Sequence, residues 1–200
     1  MVSHPIMKSL SLCLSLVTLL MFQGTPAIAQ TELATALKDG QHVLLMRHAD
    51  APGFGDPSGY QVSECATQRN LGEYGRKQAK ATGVWLTNQG IDKAKVFSSP
   101  WCRCFDTATL LGKGSVTKEA ALGSFFDNMS QSKKYTDDLI KLIAQERGKG
   151  SNNPNMPIIM VTHHVNIQSY TGTVVSSGDM VLVKVDQSGR PVSHKIYPSP

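Results

Sequence analysis

Val43-Leu44-Leu45-Met46-Arg47-His48-Ala49-Asp50 is the stretch that decides the fold. Four apolar residues run straight into an arginine and a histidine. Ala51, Pro52, Gly53, Gly55, Asp56, Pro57, Ser58 and Gly59 then break the chain into a loop. A short, continuous apolar run bounded by turn residues reads as a strand buried on both faces. In open α/β sheets ligands bind at the C-terminal strand ends, where Arg47 and His48 fall. A fixed cation beside an imidazole suits an anionic ligand.

The rest of the chain supplies matching parts. Thr31 to Lys38 forms a short helix, stopped by Asp39-Gly40, before the strand at 42–47. Residues 50–72 form a long polar loop, and long loops in compact domains are often functional. A helix follows at 75–89, stopped by Gly90, then a strand at 94–98. Ser98-Ser99-Pro100 opens a helix running to Leu111, proline being well placed at a helix start. Arg103 lies in its first turn, where free backbone N–H groups also favour an anion. A weak strand at 115–118 leads into an irregular connection over 119–133, and Tyr135 to Arg147 is amphipathic. Ile158-Ile159-Met160-Val161-Thr162 is the most strand-like run and ends in His163-His164. A short helix to about 172 and two strands, 180–185 and 192–197, complete the chain. Alternating strands and helices predict an α/β/α three-layer sandwich. The closing strand pair makes its mostly parallel central sheet mixed.

Each of these signals is weak alone; together and in this order they resemble the histidine phosphatase (phosphoglycerate mutase-like) superfamily. The residues carrying the likeness are Leu45 to Ala49, Asn70 to Ala79, Ser98 to Ala108 and Val161-Thr162-His163. The resemblance implies that His48 is a nucleophile holding a phosphoryl group as phosphohistidine. It implies that Arg47 and Arg103 grip the phosphate oxygens and that His163, rather than its neighbour His164, donates to the transferring group. Such chemistry needs neither metal nor cofactor, because positioned cations and donors stabilise the charge spread over the equatorial oxygens. Thr107 and Asn166 are candidates to brace the pocket.

The proton donor to the leaving group is where this sequence departs from the family pattern. Many members carry a glutamate in the connection after the second arginine, and Ser124 takes that place here. No aspartate follows His163 directly. Asp179 is the first candidate acid, because an antiparallel strand at 180–185 would begin at the active-site edge. Asp127 is the second and Asp50 the third. The short span from Arg103 to His163 leaves little room for the large lid of a mutase, which favours hydrolysis of a phosphomonoester or related phosphoryl group. Compact members of the family act on phosphohistidine in proteins or on phosphorylated heptose. A protein-phosphohistidine phosphatase and a catalytically idle phospholigand-binding module are the alternatives.

Lys8, an apolar run over 10–22 of about a dozen residues, and Ala27-Ile28-Ala29 predict a secretory signal peptide over 1–29. One phosphatase domain over 30–200 would remain, of a size that builds a proper core. The apolar run is too short to span a bilayer comfortably, so no stable membrane anchor is expected after cleavage. This places the protein in the periplasm or outside the cell, with an envelope substrate. Formal net charge is +5, and cleavage removes a single cation. Basic residues are scattered with little aromatic interleaving, which disfavours nucleic acid; a small phosphorylated substrate is the expected partner. Cys65, Cys102 and Cys104 follow the leader. Export permits one disulfide, from Cys65 to either Cys102 or Cys104. Three cysteines without a suitably spaced histidine are a poor metal site.

Overall fold

A computed structural model describes residues 1–2, 31–148 and 155–200. The predicted leader therefore lies almost wholly outside the described residues. The elements run α1 (Glu32–Leu37), β1 (His42–Arg47), α2 (Glu73–Asn88), β2 (Lys95–Ser98), α3 (Cys102–Leu110) and β3 (Val116–Lys118). They continue with α4 (Ser132–Gly148), β4 (Ile158–Thr162), α5 (His164–Thr171), β5 (Met180–Val185) and β6 (Pro191–Tyr197). Six strands form one sheet in the order β3-β2-β4-β1-β5-β6. β1 pairs parallel to β4, β4 to β2 and β2 to β3, while β5 and β6 are antiparallel additions. The mixed sheet agrees with the sequence pattern.

Alternation along β1 builds the three layers, since successive side chains of a strand point to opposite faces. Leu44 and Met46 join Leu33, Leu37, Leu86, Cys104 and Ala108 in the core beneath α1, α2 and α3. Val43 and Leu45 join Leu139, Ile143, Ile167 and Tyr170 in the core beneath α4 and α5. β1 and β4 are therefore apolar on both faces, and all five residues of β4 are buried.

This order brings the C-terminal ends of β2, β4 and β1 side by side. The backbone continues the register past the strands: His48 N–H donates to Thr162 O, and Ser99 N–H to Val161 O. β5 enters from the opposite direction, and Arg47 N–H donates to Asp179 O at its start. Helix α2 fits tightly below this edge. A Cβ at Gly75 would lie 1.9 Å from Asp50 O, so only glycine allows the helix to meet the chain leaving β1.

The segment between β1 and α2 is held down at several points. Cys65 and Cys102 form a disulfide, with Cα atoms 5.6 Å apart, joining a 3-10 turn over Cys65–Thr67 to the first residue of α3. Gln68 Oε1 accepts from Cys102 N–H at 3.0 Å. This settles the two pairings left open by the sequence: Cys104, two residues further along the helix, is free and buried. Residues two apart on a helix point to nearly opposite sides. Cys102 therefore meets the loop, while Cys104 turns towards β4 and lies 3.6 Å from Thr162 O.

Candidate active site

A pocket of about 250 Å³ opens at the shared strand edge. Arg47, His48, Arg103 and His163, the four residues singled out for phosphate chemistry, all line it. β1 delivers Arg47 and His48, the first turn of α3 delivers Arg103, and the end of β4 delivers His163.

His48 is 2% exposed. Its Nδ1 lies 2.7 Å from Ala49 O, and a carbonyl only accepts, so Nδ1 carries the proton. Nε2 is then an unprotonated lone pair, reached by Arg103 Nε at 3.3 Å. Burial, followed by the Arg103 charge, holds the imidazole well below its ordinary pKa. Neutral imidazole with a free Nε2 is the form that a nucleophile requires.

His163 is also 2% exposed and titrates well below its ordinary value, again through burial first and Arg103 second. Arg103 Nη2 approaches Nδ1 at 3.4 Å and can only donate. That leaves Nε2 to carry the proton and donate to Ser99 Oγ at 2.8 Å. Trp101 packs edge-on against the ring, with centroids 5.4 Å apart. His164 opens α5, is half-buried and lines the pocket further out.

Arg103 is the hub. Besides touching both histidines, its Nη1 donates to Asp56 Oδ1 at 2.8 Å and Oδ2 at 3.1 Å. Asp56 is saturated, accepting also from Arg69 N–H at 2.9 Å and Trp101 Nε1 at 3.2 Å. The two side chains are 4% and 3% exposed. Arg69 adds a third guanidinium to the pocket, held by Gly55 O at 2.8 Å and by Ala51 O. Arg47 Nη1 donates to Val175 O at 2.8 Å, and its buried Nε has no hydrogen-bond partner among the described residues. Thr107 ties the assembly together, its Oγ1 accepting from Ala49 N–H and donating to Arg103 O. Asn166 Nδ2 anchors α5 to Gly123 O at 2.8 Å.

Asp56 and Arg69 were missed by sequence reasoning. Neither follows an apolar strand or opens a helix, and the only available signal was that Arg69 directly precedes the Asn70-Leu71-Gly72 run. Asp179, the first candidate acid, is not among the residues lining the pocket. β5 does start at this edge, and Asp179 immediately before it is the leading opposite charge acting on Arg47. Its carboxylate accepts from the backbone N–H groups of Ser176 and Ser199, at 2.8 and 3.0 Å, and caps a turn. Asp127 and Asp50 do line the pocket. Asp127 sits on the connection after α3 and takes a hydrogen bond from Tyr60 Oη at 3.0 Å. Among the described residues, no group of three or more histidine, cysteine, aspartate or glutamate side chains is placed to hold a metal ion.

Fold and site together define an α/β protein with a pocket lined by three histidines and three arginines at its sheet edge. Residues 43–125 match the model of the histidine phosphatase superfamily (branch 1). Solved structures share its fold. The protein histidine phosphatase SixA complexed with tungstate superposes with a TM-score of 0.52 at 16% identity, covering 78% of this chain and 94% of that one. Phosphoserine phosphatase from Entamoeba histolytica, with 3-phosphoglyceric acid, gives 0.54 at 13%, covering 77% and 96%. The Rv3214 product of Mycobacterium tuberculosis gives 0.54 at 15%, covering 78% and 95%. At these identities the likeness is one of fold. No curated protein sequence matches the chain.

Proposed function

We propose that the protein is a phosphatase that hydrolyses a small phosphomonoester through a phosphohistidine on His48. The observation that carries this reading is the state of His48: buried, neutral, with Nδ1 tied to Ala49 O and Nε2 presented among three arginines. An incoming phosphoryl oxygen is a better acceptor for Arg103 Nε than the imidazole is, so phosphate binding frees the Nε2 lone pair. Arg103 and Arg69, with the unsatisfied Nε of Arg47, supply charge and donors to the equatorial oxygens. The anion also draws a proton onto His163, converting it into a second donor. Nε2 of His48 attacks phosphorus as the ester oxygen leaves towards the pocket mouth. There Asp127 is the proton donor, and it then deprotonates the water that releases phosphate. The similar folds of SixA, a protein histidine phosphatase, and of the Entamoeba phosphoserine phosphatase support hydrolysis over other uses of the fold.

The test is phosphate release from p-nitrophenyl phosphate. Wild-type protein should turn over, His48→Ala should lose roughly 10³-fold or more, and acid-quench mass spectrometry should find phosphohistidine at His48. Phosphate binding without turnover, wild-type rates in His48→Ala, or a label on another residue would each overturn the reading.

The leader sequence over 1–29 and the Cys65–Cys102 disulfide support export of this enzyme to an oxidising compartment. Fractionation should recover a mature chain beginning at Gln30 outside the cytoplasm; a full-length cytoplasmic product would refute export.

A further inference from the structure

Phe54 is out of character with its surroundings. It lines a pocket built from arginine, histidine and aspartate, yet it is 89% exposed. Its placement is specified by the backbone. Gly53 and Gly55 on either side have φ of 93° and 64°, which L side chains rarely adopt. Through these two residues the chain swings outward at Phe54 and inward again, so that Asp56 reaches Arg103. The loop that fixes the phosphate-facing arginine thus also sets an apolar ring at the pocket mouth.

A second ring meets it from across the opening. Phe126 lies edge to face with Phe54, centroids 5.2 Å apart and planes at 80°. Phe126 N–H bonds Ser124 Oγ at 3.2 Å, which fixes its turn, and on its other side it packs against His164 at 5.6 Å. Two rings at right angles form an apolar corner. Both rings line the same pocket as His48 and Arg103, so the corner is open to a leaving group attached to phosphorus at His48.

We infer that Phe54 and Phe126 form a leaving-group subsite selecting phosphate monoesters of flat, apolar, ring-bearing alcohols. This inference rests on the phosphatase reading of the same pocket. A third ring can stack or pack edge-on in the corner, an arrangement that aromatic groups favour. Phenylalanine offers no hydrogen bond, so a hydroxyl-rich sugar seated there would lose water without replacement. The carboxylate beside the corner, Asp127, already accepts from Tyr60.

The experiment compares kcat/KM for 2-phenylethyl phosphate, n-butyl phosphate and glucose 6-phosphate. All three are esters of primary alcohols, which keeps leaving-group chemistry similar. The phenyl ester should be preferred over butyl by roughly ten- to a hundredfold, with the sugar ester lowest. In Phe54→Ala the phenyl-to-butyl ratio should fall at least about fivefold, with the fold checked by circular dichroism. Equal rates for phenyl and butyl esters, preference for the sugar ester, or an unchanged ratio in Phe54→Ala would overturn the subsite. Calorimetric affinities of 2-phenylethylphosphonate and n-butylphosphonate repeat the comparison without turnover. If neither ester nor p-nitrophenyl phosphate is hydrolysed, the phosphatase reading fails, and equal phosphonate affinities would then refute the subsite independently.

Discussion

Asp56 contributes more to the site than its place in a glycine- and proline-rich loop suggests. Its two oxygens collect four hydrogen bonds, two of them from the Arg103 Nη1 that it aims. Asparagine has the same shape but lacks the charge and one acceptor. Asp56→Asn should therefore release Arg103 and lower kcat/KM about 10- to 100-fold, the effect of losing a buried charge-assisted bond. KM and the inhibition constant for inorganic phosphate should rise together, while phosphohistidine still forms at His48. Wild-type constants in this variant would show that Arg103 needs no such support. The residues legible in the sequence were those tied to a regular element: Arg47, His48 and His163 closing buried strands, and Arg103 opening a helix after Ser-Ser-Pro. Asp56 and Arg69 reach the pocket by tertiary folding of a loop without periodicity, so no pattern announced them. Asp179 shows the converse case. Its backbone lies at the expected edge, and the sequence did not show that its carboxylate also accepts from the backbone N–H groups of Ser176 and Ser199.

At the level of elements, the segment between β1 and α2 belongs to the candidate site although it contains only a 3-10 turn. Its anchor to α3 is Cys65–Cys102, which spans 37 positions of chain. In the chain-entropy account, a cross-link of that length stabilises the fold by about 4 kcal/mol. The double variant Cys65→Ser, Cys102→Ser should lose about that much unfolding free energy in urea. It should also bind phosphate more weakly, because Asp56 and Arg69 sit on the released segment. A loss under about 1 kcal/mol would mean that the loop is held by its hydrogen bonds alone. Cys104 does not substitute in the bridge: it is wholly buried, and burial pushes its thiol up to about 12. The sequence left Cys102 and Cys104 as equal candidates because composition carries no facing; the helix supplies it. Strand positions were legible almost to the residue, since buried parallel strands are marked by their apolar runs. Helix α4 begins three residues before the amphipathic pattern does, because a 3-10 turn over Met129–Gln131 feeds directly into it.

For the whole molecule, the buried pair His48 and His163 is a pH-dependent liability. His48 and His163 are buried in the folded protein and hold their pKa values well below the ordinary 6.5. Unfolding exposes both to water, where they titrate near 6.5. Above that pH both states carry neutral rings, and the histidines impose no penalty. As pH falls below 6.5 the unfolded chain takes up protons that the folded chain refuses, so stability drops with each step towards the folded-state pKa values. Each ring contributes a slope approaching about 1.4 kcal/mol per pH unit, and the pair about 2.7. The half-buried His164, also lowered by burial and by Arg47, adds in the same direction. Urea unfolding at pH 7.5, 6.5 and 5.5 should show little change over the first interval and a marked loss over the second, before most carboxylates protonate. His163→Gln should flatten the lower interval by about the share of one ring. A stability independent of pH between 6.5 and 5.5 would show that the two rings are not held neutral, and the free lone pair assigned to His48 would fall with them. The same depression keeps His48, the proposed nucleophile, unprotonated below the ordinary imidazole pKa, so the acidic limb of kcat/KM should lie below the pKa of free imidazole even as the fold weakens.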